Sequence, residues 1–239
     1  YKSISFFFKD NQIGFGVGLE LSSPKDKFND IIKTLPHHNS KTISKYYSSI
    51  ENSIRIEEDY FRRLGNLKSF RTPHIILNEG IQNNSITSSF LDYDCSFYKG
   101  IVGIYSQENN EKLLKIISLF LNSIYTKYFA FLTTSSWGIE RDVVKHRELF
   151  DIPYILKELS LNDKEKLILT FEKFLSTFID LEKRKLEAEI NNLILNYLSK
   201  DEQIVIQDTL NYSLDLFEKQ EKSKAVLPVN DIDVYSKRI

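Results

Sequence analysis

Two groups of basic residues are the side chains in this sequence whose types and spacing best suit a chemical task. In the first group, between residues 41 and 71, seven cations stand against four acids, and tyrosines and phenylalanines are interspersed. Its cations are Lys41, Lys45, Arg55, Arg62, Arg63, Lys68 and Arg71. The second group is Arg141, Lys145, His146 and Arg147. Such residues supply the phosphate contacts and bidentate base contacts of a DNA-binding surface, although charge runs usually form only a solvated face.

The four histidines have weaker signals. His37 and His38 form a polar pair in a loop-like region, so we expect solvated loop histidines, with metal or phosphate contact as the alternative. His74 opens an apolar strand and is expected to be packed or hydrogen-bonded within the protein. His146 lies in a charged segment, where a solvated helix face is expected and phosphate contact is the alternative.

No set of residues for a catalytic or metal site can be assembled from the sequence. It lacks a P-loop, an H-E-x-x-H motif and a G-x-S-x-G motif. Asp92 and Asp94 would share one face of a strand, but without a third partner we expect surface loop carboxylates. Cys95 is the single cysteine, which excludes a disulfide within the chain and a zinc site built from cysteines. The glycines of "GFGVG" (14–18) are expected where another backbone comes close.

Composition limits the kinds of partner. The formal net charge is −1, so a phosphate-binding face must be a local concentration of cations and not a property of the whole chain. No signal peptide is recognisable, and polar residues interrupt the apolar run 113–132, so we predict a cytoplasmic protein that does not span a membrane. The sequence begins at Tyr1 and contains no Met, from which we expect a piece of a longer polypeptide.

Periodicity predicts the elements that must position these residues. Residues 3–21 predict a strand pair, 25–60 short helices and loops, and 73–105 strands with turns at Gly80 and Gly100. Asn110 should cap a deeply buried helix over 111–132. The lone Trp137 then opens a turn, where we expect it to anchor the chain against the core.

A helical arm is predicted from residue 158 onward. An uninterrupted helix over 163–198 would be about 50 Å long. The "SKDE" capping box at 199–202 opens a second helix to about Lys219. Two long consecutive helices predict a hairpin or arm.

Three stretches together resemble a known family. They are "FRTPHIILNEGI" (70–81), "LLKIISLFLNSIYTKYFAFLTTSSWGIERDVVKHRELFDIPYIL" (113–156) and "LEAEINNLILNYLSKDEQIVIQDTL" (186–210). In order and spacing they resemble the target recognition region of adenine-N6 DNA methyltransferases of the bacterial restriction-modification and phage-defence type, akin to type I specificity subunits. The catalytic signatures of that family, a SAM-binding glycine loop and an (N/D)PP(Y/F) tetrapeptide, are absent.

The resemblance implies an α+β protein with a mixed α/β target recognition domain (1–157) and a long-helix hairpin or arm with a C-terminal loop (158–239). It implies sequence-specific binding of double-stranded DNA by Lys68, Arg71, Arg141, Lys145 and Arg147. No catalytic residue, metal ligand or cofactor site is assigned. SAM is expected in the catalytic domain or subunit of a parent methyltransferase, which would be the protein partner.

The alternative is a protein-interaction module whose long helices dock a partner without DNA contact. The two hypotheses differ in one structural expectation. DNA binding requires the cations of 41–71 and 141–147 to line one concave face, whereas an interaction module allows them to scatter.

Overall fold

The structure is a computed structural model that describes residues 1–134, 137 and 143–214. A mixed sheet is followed by long helices, and the α+β class expected from the sequence is confirmed. The strands are β1 (Ile13–Val17), β2 (Lys27–Phe28), β3 (His37–His38), β4 (Tyr46–Tyr47), β5 (Tyr60–Phe61), β6 (His74–Gln82), β7 (Ser85–Leu91), β8 (Ser96–Phe97) and β9 (Ile101–Ser106). The α-helices are α1 (Ile4–Asp10), α2 (Ile31–Thr34), α3 (Glu111–Leu121), α4 (Ile124–Thr133), α5 (His146–Phe150), α6 (Leu161–Ser176), α7 (Asp180–Leu195) and α8 (Lys200–Asp208).

The main sheet has the strand order β1-β9-β6-β7-β4. All of its pairs are antiparallel except β4 with β7, which is parallel. Because side chains alternate across a strand, the central strand β6 buries both of its faces. Ile75 and Leu77 belong to a core shared with the helices, and Ile76 belongs to a second core under the loops.

The first predicted strand is wrong, because residues 4–10 form helix α1. Ser3 caps this helix by accepting a hydrogen bond from the Phe6 amide at 3.4 Å. Ile4 and Phe8, one helical turn apart, are its buried residues. Only β1 remains of the predicted pair, and its partner is the distant β9.

The predicted turn at Gly80 is also wrong, whereas the one at Gly100 is confirmed. Gly80 lies within β6, where the register with β7 shifts between Asn78 and Gln82. The turn is made by Asn83 and Asn84, both with positive φ (49° and 51°), as a two-residue hairpin turn requires. Gly100, with φ of 103°, occupies the turn between β8 and β9.

The buried helix expected over 111–132 is two helices, α3 and α4. Asn110 caps the first as predicted, accepting from the Leu113 amide at 3.1 Å. Asn122 ends it: its side chain accepts from the Ser88 amide at 3.0 Å and donates to the Ser88 carbonyl oxygen at 2.8 Å. Asn122 therefore pairs with β7 as a neighbouring strand would, and Ser123 caps α4.

Because the apolar segment 111–132 is divided into two helices, neither helix is a candidate membrane span by itself. In the described ranges no single helix is long and apolar enough to cross a membrane. The pair α3 and α4 passes that test only when the two are counted together, and they are bent by 56°.

The long helix expected over 163–198 is likewise interrupted. Helices α6 and α7 are joined by three residues, 177–179, and pack against one another as a hairpin. Thr177 and Ile179 have extended backbones, and both are β-branched residues that fit such a conformation. The Ser199–Glu202 capping box of α8 is confirmed. After α8 the described chain continues as a π-helical turn, Thr209–Leu214, and the rest of the helix predicted to Lys219 lies outside the described residues.

The main core extends across the predicted boundary between 157 and 158. Leu156, Leu167 and Ile190 lie in the same cluster as Ile75. The division into two domains therefore stays a prediction, and the described helices share their core with the sheet.

Trp137 occupies the structural position expected for it. It is 4% exposed, belongs to the main core and packs edge-on against Phe131, with ring centroids 5.9 Å apart. Its neighbours 135, 136 and 138–142, including Arg141, lie outside the described residues.

Replacing Asn122 with alanine should destabilise the protein by about 2–4 kcal/mol. The change removes three bonds to Ser88, two of them to its backbone, and leaves buried backbone groups of β7 without partners. Urea unfolding followed by circular dichroism measures it. A loss below about 0.5 kcal/mol would show that the pairing with Ser88 is dispensable.

The variant Trp137→Ala should lose about 3–5 kcal/mol of unfolding free energy, because it leaves a large cavity in the main core. The same unfolding assay measures this loss. If the variant keeps its stability and loses only binding to a partner, the indole has a direct contact role instead.

Candidate nucleic-acid interface

A cleft at one end of the main sheet brings together cations that are distant in sequence. One part of it, the basic lobe, is a cavity of about 360 Å³. The basic lobe is lined by the end of β1, the segment before residue 66, the end of β6, the β8–β9 turn and the start of α5. Its charged and titratable side chains are Glu20, Arg63, Glu79, Lys99, Lys145, His146 and Arg147.

Glycines allow the walls of the basic lobe to approach one another. A Cβ on Gly18 would collide with the Phe97 carbonyl oxygen. Gly65, with φ of 70°, lies against the Val17 carbonyl oxygen. The expectation that the "GFGVG" segment needs glycine for close backbone approach is thus confirmed at Gly18.

Glu20 gathers three cations at one wall of the cleft. Its carboxylate lies 3.1 Å from Lys99 Nζ, 3.5 Å from Arg62 and 3.6 Å from Arg63. The hydrogen bond from Lys99, aided by one from Ser22, lowers the pKa of Glu20 despite its partial burial. Three cations around one carboxylate leave an excess of positive charge facing solvent.

Glu79 binds residues at the start of α5 that line the same lobe. Burial alone would raise the pKa of this carboxyl, but hydrogen bonds from His146 and Lys145 lower it to about 2. Its oxygens lie 2.6 Å from His146 Nδ1, 3.1 Å from the His146 amide and 3.2 Å from Lys145 Nζ. Because a carboxylate only accepts, His146 Nδ1 carries the hydrogen. The Val144 amide also donates to the Glu79 carbonyl oxygen, so the segment before α5 is held to the end of β6.

A second cavity, the amide lobe, adjoins the first. It has a volume of about 320 Å³ and shares Glu79, Lys99, Gly100 and Lys145 with the basic lobe. Its remaining walls are Asn39, Ser40, Asn78, Gly80, Tyr98, Ile101 and Val143. Beyond the shared residues, the basic lobe therefore adds mainly charged side chains, whereas the amide lobe adds amide, hydroxyl and apolar groups and no further charge.

The basic lobe has an excess of cations. Arg63, Lys99, Lys145 and Arg147 line it against Glu20 and Glu79, which leaves two positive charges before His146 is counted. Local positive charge in a concave surface suits a phosphodiester backbone. Because the net charge of the chain is −1, a phosphate-binding surface needs such a local concentration of cations.

The structure brings together some of the predicted DNA-binding residues. Lys145 and Arg147 line the basic lobe. Lys68 is exposed on the 3-10 helix Leu67–Phe70, and Arg71 pairs with Asp94; neither lines the cleft. Arg141 lies outside the described residues. DNA contact by these five residues stays a prediction.

The cations of the two basic groups line one concave surface only in part. Arg63 from the first basic group and Lys145 and Arg147 from the second line the same lobe. Lys45, in contrast, pairs with Glu187 of α7, away from the cleft.

Sequence reasoning missed Lys99 and the two organising carboxylates, Glu20 and Glu79. Lys99 is a single cation beside a turn glycine, and nothing in its sequence surroundings marks it. Glu79 does have a signal, since it directly follows the apolar strand "HIILN", and an acid buried at the end of such a strand needs a partner. The partners of Glu79 could not be predicted from the sequence, because Lys145 and His146 are more than 60 residues away along the chain.

The expectation for His37 and His38 is wrong, because both are fully buried and not solvated. His37 Nδ1 lies 3.0 Å from Ser96 Oγ, and His38 Nε2 lies 2.7 Å from the Tyr93 hydroxyl. Burial lowers the pKa of both, that of His37 to about 3. Strand pairing of β3 with β8 buries them, which local polarity could not indicate.

His74 and His146 complete the histidines. His74 is buried as expected and bonds the Arg71 carbonyl oxygen; burial lowers its pKa to about 4. The solvated face expected for His146 is wrong, since the side chain is largely covered and bound to Glu79.

The aspartates flanking Tyr93 have structural partners. Asp94 accepts from the Thr72 amide at 2.8 Å and pairs with Arg71, and Asp92 accepts from the Tyr47 hydroxyl at 3.2 Å. Within the described ranges, no three His, Cys, Asp or Glu side chains are grouped as a metal ion would require.

Fold and cleft together define an α+β protein with a two-lobed, partly basic cleft at one end of its sheet. No protein-family model matches the chain, and no curated protein matches it.

Two solved structures show a limited likeness to the chain. One, from work on complex assembly and conformational transition of the type I R-M system, has a TM-score of 0.39 and 9% identity over 84% of this chain and 43% of that chain. The HsdS subunit from Thermoanaerobacter tengcongensis has a TM-score of 0.37 and 11% identity over 82% and 42%. The chain spans less than half the length of either protein. Likenesses of this size assign no function.

The stability of the protein should fall as the pH is lowered from 6.5. The folded-state pKa values of His37 and His74, about 3 and 4, lie below the ordinary 6.5, so the unfolded chain binds protons that the folded chain does not. Between pH 6 and 5 each histidine should contribute a slope of about 1 kcal/mol per pH unit. His37→Asn should remove one such contribution in urea titrations.

Ser96→Ala is the matched control, because it removes the hydrogen bond to His37 but keeps the titrating ring. Its slope should equal that of the wild type. An unchanged slope in His37→Asn would mean that His37 is protonated in the folded protein.

Proposed function

We propose that this chain is a non-catalytic DNA target recognition unit of a restriction-modification system. The observation that carries the proposal is the basic lobe, in which Arg63, Lys99, Lys145 and Arg147 converge on one cavity. Cations from three separate parts of the chain would contact phosphates along a duplex and fix its register. The three stretches that resemble target recognition regions add support from the sequence.

The carboxylates make this arrangement suitable for binding. Glu20 and Glu79 hold cations at defined positions before any ligand arrives. A preformed site loses less side-chain freedom when it binds. A phosphate entering the lobe would take over part of the interaction that the cations now make with the carboxylates.

The parent protein would be a SAM-dependent, adenine-specific DNA methyltransferase. This chain would hold the target sequence while a separate catalytic domain or subunit binds SAM and acts on a flipped adenine. A bacterial, cytoplasmic role in phage defence is part of the same proposal. Saturable SAM binding by this chain alone would contradict its assignment as the non-catalytic part.

A second candidate function has its own observation. The connection between α6 and α7 presents apolar side chains to solvent: Phe178 is 92% exposed, Leu181 63% and Ile179 58%. Exposed apolar groups at the end of a helical hairpin suit a protein partner. This supports the alternative of a protein-interaction module, and it is also compatible with an arm that docks the catalytic subunit.

Duplex binding should depend steeply on salt. If the four lobe cations each neutralise a phosphate, the log–log slope of affinity against salt should be about −3 to −4. In the double variant Lys145→Ala/Arg147→Ala the slope should become shallower by about 2. Fluorescence anisotropy of a labelled duplex at several salt concentrations measures both.

The control is Arg184→Ala/Lys185→Ala, which removes the same two residue types from exposed positions on α7. It should leave the slope unchanged. A wild-type slope near zero would reject DNA binding and favour the interaction module. Equal slopes in the two double variants would place any DNA contact outside the basic lobe.

A further inference from the structure

The amide lobe differs from the basic lobe in the chemistry that it offers. Its wall adds Asn39, Ser40 and Asn78 to the residues that both lobes share. Neutral amides and hydroxyls are groups that discriminate among base edges, whereas cations bind every phosphate alike. A ligand in the amide lobe could be selected by a side chain whose hydrogen-bonding group is not already paired within the protein.

Asn78 has a hydrogen-bond donor that the described protein does not use. The residue is 2% exposed, and its Nδ2 has no hydrogen-bond partner within the described ranges. Leaving a buried amide donor without a partner is unfavourable, because no hydrogen bond offsets the loss of its hydration. Asn78 lines the amide lobe, so an acceptor on a ligand bound there would complete this hydrogen bond.

The orientation of the Asn78 amide is fixed by its neighbour. Its Oδ1 accepts a hydrogen bond from the Gly80 amide at 3.0 Å. The reverse orientation would set the side-chain NH₂ against a backbone N–H, with no acceptor between them. The side chain can therefore offer only a donor to a ligand, and its complement must be an acceptor.

The backbone around Asn78 holds this group in place. Asn78 pairs with Ile101 of β9 and Thr87 of β7, on either side of the central strand. The adjacent Glu79 is bonded through its amide to the Gly100 carbonyl oxygen and through its side chain to the segment before α5. A donor on such a rigid element discriminates better than one on a loop.

We infer that the two lobes bind different parts of DNA: the basic lobe binds backbone phosphates, and Asn78 in the amide lobe contacts a base edge. This inference rests on the proposed DNA binding and names the residue that determines specificity. In the major groove the acceptors are guanine O6 and N7, adenine N7 and thymine O4. Cytosine offers only its N4 amine there, a second donor facing the donor of Asn78. One position of the target should therefore exclude cytosine.

The test compares base preferences and salt dependence in the same variants. A randomised duplex library, selected by the wild-type chain and sequenced, gives a base-frequency profile. In Asn78→Leu, which removes the donor at similar size, the exclusion of cytosine at one position should relax by about tenfold. Asn78→Ser, whose hydroxyl can donate or accept, should relax the same position. The salt slope should stay at the wild-type value in both.

Arg147→Ala is the contrasting control, because Arg147 lines only the basic lobe. It should reduce the salt slope by about 1 and leave the base profile unchanged. Urea unfolding verifies that each variant is folded. If Asn78→Leu does not fold, Asn78→Ser decides.

Three outcomes overturn the inference. Equal weakening on every duplex by the Asn78 variants would make Asn78 a phosphate contact or a purely structural residue. An unchanged profile, with a steep wild-type salt slope, would leave DNA binding standing and remove Asn78 from base readout. A wild-type slope near zero would reject the inference together with the proposed function.

Discussion

The buried central strand β6 is the constraint on which the rest of the structure depends. Its side chains alternate between two cores, so both faces of the sheet must be covered. Helices α3, α4, α6 and α7 cover one face, and the irregular segment up to residue 70 covers the other. The strand stays buried through the polar residues Asn78 and Glu79 and becomes partly exposed from Gly80 onward. The cleft is the place where the central strand stops being core.

Glu79 transmits that rigidity to the cleft. It follows directly after the last deeply buried part of β6 and binds Lys145 and His146. A carboxylate with a pKa of about 2 is ionised throughout the physiological range, so its partners are held whenever the protein is folded. Glu20 does the same for Lys99. The two carboxylates reduce the net positive charge but fix where the remaining charge lies.

Local signals predicted a large part of the fold. The caps at Asn110 and Ser199, the strands of 73–105 and the buried Trp137 follow from side-chain chemistry within a few residues. The errors lie where distant contacts decided the outcome. Asn122 ends α3 because Ser88 needs a partner, and residues 4–10 form a helix whose Ile4 and Phe8 the core buries. Periodicity within one segment contains neither fact.

At the candidate site, too, the sequence indicated local features and distant contacts decided the rest. The sequence by itself determined where cations are clustered along the chain, in 41–71 and 141–147. Lys145 and Arg147 were predicted from the sequence to contact DNA, and both line the basic lobe. Only the tertiary structure joined them to Arg63 and Lys99, around two carboxylates. The physical reason is that charge acts through space over a few ångströms, and chain separation along the sequence does not report that distance.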